Sequence, residues 1–141
     1  MLNAANCTDV CYQFRMEAPR KPISFIATDS PDEATIFYAD VLGLELREAS
    51  PFALVFSDGD QTLRVQIVAA LEPTSHTVHG WQVANISDEI EALVSKGATF
   101  QRFGQLPQDE LGIWTTRDGH KIAWFTDPSG NILSLTQLGK T

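Results

Sequence analysis

No stretch of this chain approaches the roughly 20 consecutive apolar residues of a bilayer-spanning helix, although 43% of its residues are hydrophobic. The N-terminus lacks a basic region leading into an apolar core, so no secretory signal is expected and a cytoplasmic protein is. Basic residues are few: 10 Lys and Arg stand against 18 Asp and Glu in 141 residues, a formal charge of -8. Nucleic-acid binding draws on clustered cations that neutralise phosphates, so nucleic acid is not an expected partner. The acidic residues are scattered and read as solubility rather than as an acidic tail. Cysteine is reduced to Cys7 and Cys11. Their spacing is not C-x-x-C and no second pair completes a zinc site, so two ordinary thiols are expected. Histidine is limited to His76, His79 and His120. No Ser-His-Asp order, phosphate-cradling glycine loop or Cys-His nucleophile pair stands out.

What the chain does have is one plan used twice. The apolar stretch Ile23 to Ala27 runs into Asp29-Ser30-Pro31-Asp32-Glu33, then a helical pattern closed by Gly43, then strand-like runs. Trp81 to Val83 likewise runs into Asn85-Ile86-Ser87-Asp88-Glu89, a helical pattern closed by Gly97, and Ala98-Thr99-Phe100. In the first helix Ala34, Phe37, Tyr38, Val41 and Leu42 recur at the spacing of one buried face. Ser30 with Glu33 reads as a capping box, with Pro31 at the first helical position. In the second helix the stripe is Ile86, Ile90, Leu93 and Val94, with Lys96 complementing the C-terminal dipole. Strands are expected at Leu44 to Arg47, Phe52 to Phe56 and Leu63 to Ala69. The second half should supply Ala98 to Phe103, a short one near Ile113 to Thr116, Lys121 to Thr126 and Ile132 to Thr136. Turn signals lie at Ser57-Asp58-Gly59-Asp60 and at Asp127-Pro128-Ser129-Gly130-Asn131. This order, strand, helix and three strands in each half, is an α+β pattern. Residues 1–21 stand outside it as an N-terminal extension. Residues 22–137 form a single domain, with modules of about 22–70 and 77–137.

Three pieces carry a resemblance: Phe37-Tyr38-x-x-Val41-Leu42-Gly43-Leu44, the run Val83 to Gly97, and Trp124-Phe125-x-Asp127-Pro128-x-Gly130-Asn131. Together and in order they resemble the vicinal oxygen chelate superfamily of glyoxalase I, extradiol dioxygenases, and bleomycin and fosfomycin resistance proteins. The resemblance implies two βαβββ modules whose curled mixed sheets surround a cleft, often in a homodimer. It also implies four metal-ligand positions, which fall at Ile23 (or Ser24 with a slipped register), Gln66, Val78 and Ser134. Two of these are aliphatic, Ser134 is a poor ligand, and a neutral amide alone does not hold a transition metal ion. No metal and no other cofactor is therefore expected.

The candidate site residues follow from strand period and from this resemblance. Arg64 and Gln66 share one face of a strand. There Arg64 would bind a carboxylate or phosphate, or else reach to water from the strand end. Gln82 and Ser134 are further polar contacts, and Trp124 is an aromatic wall or a core residue. His79, beside the third ligand position, is the candidate acid–base residue, and a one-residue slip in register decides which face it takes. His120 reads as an exposed turn residue and His76 as incidental in a polar loop. Trp114 follows a loop, Gly104 to Leu111, that has the composition of a lid. The leading expectation is a metal-free homodimer that binds a small organic molecule in a mostly apolar cleft. The rivals are a metal-dependent or His79-based lyase, isomerase or dioxygenase, and an interaction module whose N-terminal arm contacts a partner.

Overall fold

The computed structural model describes residues 20–140. The N-terminal extension up to residue 19, with Cys7 and Cys11, lies outside the described residues. The elements run β1 (Ile23–Thr28), α1 (Pro31–Ile36), β2 (Glu45–Ala49), β3 (Ala53–Asp58), β4 (Gln61–Ile67), β5 (Thr77–Gln82), α2 (Ile86–Ser95), β6 (Trp114–Thr115), β7 (Lys121–Thr126) and β8 (Ile132–Gln137). Two four-stranded mixed sheets result, ordered β1-β4-β3-β2 and β5-β8-β7-β6. In each, the first strand is parallel to the last and the remaining pairs are antiparallel. The helix and meander between them supply the crossover that a parallel pair requires. The expected α+β plan of two βαβββ modules with curled sheets is the observed one.

The strands separate two faces by their period of two. Ile26 and Thr28 of β1, Leu54 and Phe56 of β3, and Leu63 and Val65 of β4 are buried beneath the helices. Ala123, Phe125, Leu133 and Leu135 do the same in the second sheet. The two interiors merge into one hydrophobic core with Tyr38, Ile86 and Ile90. Each fully buried aliphatic side chain there contributes about 1.5–3 kcal/mol. No helix among the described residues is long and apolar enough to cross a membrane.

The first helix departs from its expected form in two ways. Its capping box is not made: Ser30 is the N-cap but its side chain caps no helical N–H, and its hydroxyl turns to Asp29 Oδ1 at 3.3 Å. After Ile36 the helix widens into a π turn over Phe37–Val41, closed by Leu42 N–H donating to the Phe37 carbonyl at 3.0 Å. Gly43 then takes φ +75°, as a left-handed helix end requires. In the second helix Asn85 Oδ1 accepts from Asp88 N–H at 3.1 Å. Ile86, Ile90 and Leu93 are buried, but Val94 is 51% exposed and leaves the expected stripe. The strand expected over Ala98 to Phe103 shrinks to a single bridge between Phe100 and Phe125.

The Asp127–Asn131 turn fastens one module to the other. Asp127 Oδ1 accepts the backbone N–H groups of Ser129 and Asn131 at 3.0 and 2.9 Å. Its Oδ2 accepts from Asn131 Nδ2 at 2.8 Å and from the Tyr38 hydroxyl at 2.7 Å. Asn131 Nδ2 also donates to the Ala27 carbonyl of β1 at 2.7 Å. Tyr38 is fully buried, and burial first, then the Asp127 carboxylate, drive its hydroxyl far above the ordinary phenol range. It is therefore a permanent donor. Tyr38 lies within the π turn and is buried there.

Candidate functional site

Opposite the core, each sheet has an open face. On the first it carries Ile23, Phe25 and Ala27 of β1 beside Thr62, Arg64 and Gln66 of β4, the register pairing Phe25 with Arg64 and Ala27 with Gln66. On the second it carries Thr77, Gly80 and Gln82 of β5 beside Ile132, Ser134 and Thr136 of β8, with Trp124 of β7 opposite Ser134. The strands β1 and β5 lie against each other, which sets the two open faces side by side. Arg64 and Gln66 are thus neighbours on one sheet, and Gln82, Ser134 and Trp124 are grouped on the other. Phe25 and Ile23, at 57% and 52% exposed, make the floor of the first face apolar.

Gly80 explains how Ser134 presents its hydroxyl. A Cβ built on Gly80 would meet Ser134 Oγ at 2.3 Å and the Ser134 carbonyl oxygen at 3.0 Å. Only a residue without a side chain leaves that hydroxyl room on the open face.

The twelve residues facing outward from β1, β4, β5 and β8 include no His, Cys, Asp or Glu. Their donors are two amides, hydroxyls and one guanidinium, a set that does not fit a zinc, nickel or iron ion. No group of three His, Cys, Asp or Glu suited to a metal exists among the described residues. The expected third position, Val78, is the extra residue of a bulge between Thr77 and His79, and it packs against the core.

That bulge decides the direction of His79. Past it, His79 pairs with the buried Leu133 and points to the core side, away from Gly80, Gln82 and Ser134. Its ring packs edge-on against Trp81 with centroids 4.7 Å apart. Nε2 is buried without a hydrogen-bond partner and lies 3.9 Å from Asp58 Oδ2. Desolvation holds the imidazole below its ordinary value of 6.5, against an opposing pull from Asp58. The unfolded chain therefore binds the proton more readily, so stability is intact above pH 6.5 and falls as the pH drops below it. Urea midpoints across this range should fall in the wild type and fall less in His79→Gln.

Trp124 lines a cavity of about 310 Å³ with Ser75, His76, Thr77, Phe103, Leu106 and Ile132. Phe103 meets Trp124 edge-on at 5.3 Å and Trp114 stacks on it at 6.2 Å. The indole N–H of Trp124 donates to Thr77 Oγ1 at 3.1 Å, which fixes the ring plane. Phe103, Leu106 and Thr77 escaped the sequence reading, which took His76 only as incidental in a polar loop, because only the folded 101–113 loop carries Phe103 and Leu106 over β7. Their aromatic and aliphatic character was the one available signal. The loop expected to be a lid is tied down. Gln108 accepts from Phe103 N–H at 2.7 Å and donates to the carbonyls of Gln101 and Gly112 at 3.0 and 2.8 Å. His120 sits in its turn with Nδ1 accepting from Gly139 N–H at 2.9 Å.

The profile of the Glyoxalase/Bleomycin resistance protein/Dioxygenase superfamily matches residues 22–135. The chain belongs to this superfamily. A comparison with curated proteins finds no match. Among solved structures, a glyoxalase/bleomycin resistance protein/dioxygenase from Alicyclobacillus acidocaldarius superposes with a TM-score of 0.66 at 18% identity, over 86% of this chain and 93% of that one. A lactoylglutathione lyase from Agrobacterium tumefaciens gives 0.66 at 17% identity, covering 85% and 94%. An antibiotic binding protein from Streptomyces sp. CB03234 gives 0.64 at 17% identity, covering 86% and 98%. At these identities the likeness is one of fold. Members of a superfamily that share a fold still differ in chemistry, so function rests on the site.

Proposed function

We propose that this superfamily member is a metal-free, cytoplasmic homodimer that binds a small organic molecule on the open faces of its sheets. The observation that carries the reading is the donor set there: apolar and aromatic surface with a few amides and hydroxyls and one guanidinium, and none of the residues that hold a transition metal. Apolar lining with a few placed polar groups is the usual make-up of a small-molecule site. Arg64 and Gln66 act as polar contacts for the ligand on the first face. Gln82 and Ser134 do so on the second, with Trp124 as the flat wall. The likeness to an antibiotic binding protein agrees with a sequestering role. The inward turn of His79 favours binding over His79-based catalysis.

The test begins with metal content. Protein purified without chelator should hold close to no divalent ion, and incubation with nickel, zinc, iron or manganese should leave that unchanged. One tightly held ion per chain would overturn the reading and bring the lyase and dioxygenase assays forward. A panel of planar aromatic compounds should then quench tryptophan fluorescence saturably, with the bound compound recovered unaltered. Loss of the aromatic wall in Trp124→Ala should weaken that binding about tenfold, the equivalent of ~1.4 kcal/mol. Light scattering after size-exclusion chromatography checks the dimer.

A further inference from the structure

Where the two modules meet on the core side, one carboxylate has two potential partners and uses one. Asp58, at the end of β3, accepts the Trp81 indole N–H at 2.5 Å through Oδ2. The same oxygen lies 3.9 Å from His79 Nε2, beyond a hydrogen bond. That nitrogen is the only buried side-chain nitrogen or oxygen among the described residues without a hydrogen-bond partner. A neutral imidazole tolerates this arrangement, and an imidazolium would not, because a buried cation with no acceptor is costly.

We propose that His79, Asp58 and Trp81 form a proton-operated switch at the seam between the modules. Protonation of the His79 ring draws the Asp58 carboxylate from the indole N–H to the Nε2–H of the imidazolium. The proton adds to the lone pair of the ring nitrogen that is bare in the neutral imidazole, and no bond other than the Trp81 hydrogen bond is given up. Among the described residues, Asp58 on β3 is the charged group whose field acts on the imidazole. The neighbours of His79 on β5 and β8, Trp81 and Leu133, carry no group that titrates near neutral pH. The His79 side chain is 14% exposed and that of Asp58 is 23% exposed, enough for a proton to arrive and for the carboxylate to swing.

The swing has somewhere to register. Asp58 and Trp81 line a cavity of about 190 Å³ at this seam, together with Leu42, Leu44, Val83 and Glu89. Moving the carboxylate takes a wall group from that cavity and frees an indole N–H to face it. Gln82 also lines this cavity, so the cavity adjoins the proposed ligand site at that residue, while Arg64, Gln66, Ser134 and Trp124 do not line it.

The indole N–H resonances read the switch directly. The chain has three tryptophans, and Trp81→Phe identifies the Trp81 peak in a proton–nitrogen correlation spectrum. Titration from about pH 8 to about pH 5 spans the range over which imidazoles charge. The Trp81 indole proton should start far downfield, as a carboxylate-bonded donor, and move upfield in step with the His79 ring protons. His79→Gln should abolish the movement. Asp58→Asn keeps an oxygen for the indole and removes the charge, so its Trp81 peak should stay in place while the His79 ring titrates at lower pH. A Trp81 peak that stays fixed while the His79 ring titrates would overturn the proposal. So would the same movement in Asp58→Asn, or global unfolding before the ring charges, since the switch requires a folded, protonated state.

Discussion

Asp127→Ala is expected to destabilise the protein by about 3–5 kcal/mol, a large share of the total for a domain of this size. The carboxylate accepts from the Tyr38 hydroxyl, from Asn131 Nδ2 and from two backbone N–H groups. Alanine leaves all four donors without it in a site where Asp127 is 5% exposed, and each buried donor left unpaired costs about 1–3 kcal/mol before water enters. Two control variants separate the contributions. Tyr38→Phe removes one donor and leaves Asp127 with three partners, so about 1–2 kcal/mol is expected. Asp127→Asn retains one carbonyl oxygen but presents an amide to donors, and should fall between the two. Urea unfolding followed by circular dichroism measures all three. A midpoint for Asp127→Ala within error of the wild type would show that the turn is not what ties the modules together.

Phe125→Ala is expected to cost a comparable amount, about 3–5 kcal/mol for a fully buried aromatic. Phe125 has no exposed surface and is met from both modules. Phe37 of the first helix lies 6.2 Å from it, Trp81 6.3 Å and Phe100 5.1 Å, centroid to centroid. Truncation opens a cavity where the first helix, β5 and the segment after α2 converge, and a ring-sized void there does not close without moving all three. Phe25→Ala is the matched comparison. Its ring is 57% exposed on the open face, so its removal should change stability by less than about 0.5 kcal/mol. Thermal unfolding of the two variants side by side tests this, and equal losses would mean that the open face and the core have been exchanged.

The same contrast shows how much was legible in the chain. Helix two was readable because Ile86, Ile90 and Leu93 repeat at the spacing of one face, and burial follows from that periodicity alone. Arg64 and Gln66 were placed together by the period of a strand. Gly43 and Gly97 ended their helices at positive φ as expected. The Asp127-Pro128-Ser129-Gly130-Asn131 run was readable as a turn, yet nothing local in it names Tyr38, 89 residues away in sequence. The capping box failed for a related reason. Thr28 and Ser129, from opposite modules, hydrogen-bond to each other at 2.9 Å, and Ser129 also donates to Asp29 Oδ1 at 2.9 Å. Those contacts gather the Ser30 region into an inter-module network that outweighs a local cap.

By itself the sequence determined the α+β order, the duplicated module and most of each helix face, since these are written in local composition and periodicity, while the expected metal-ligand positions came from the resemblance to the superfamily. Tertiary structure alone decided which way His79 points and what surrounds Trp124. The first depends on a single bulged residue, Val78, and one residue of register inverts every side chain beyond it. The second depends on a loop pinned by Gln108 through contacts that exist only once the strands beneath it are paired.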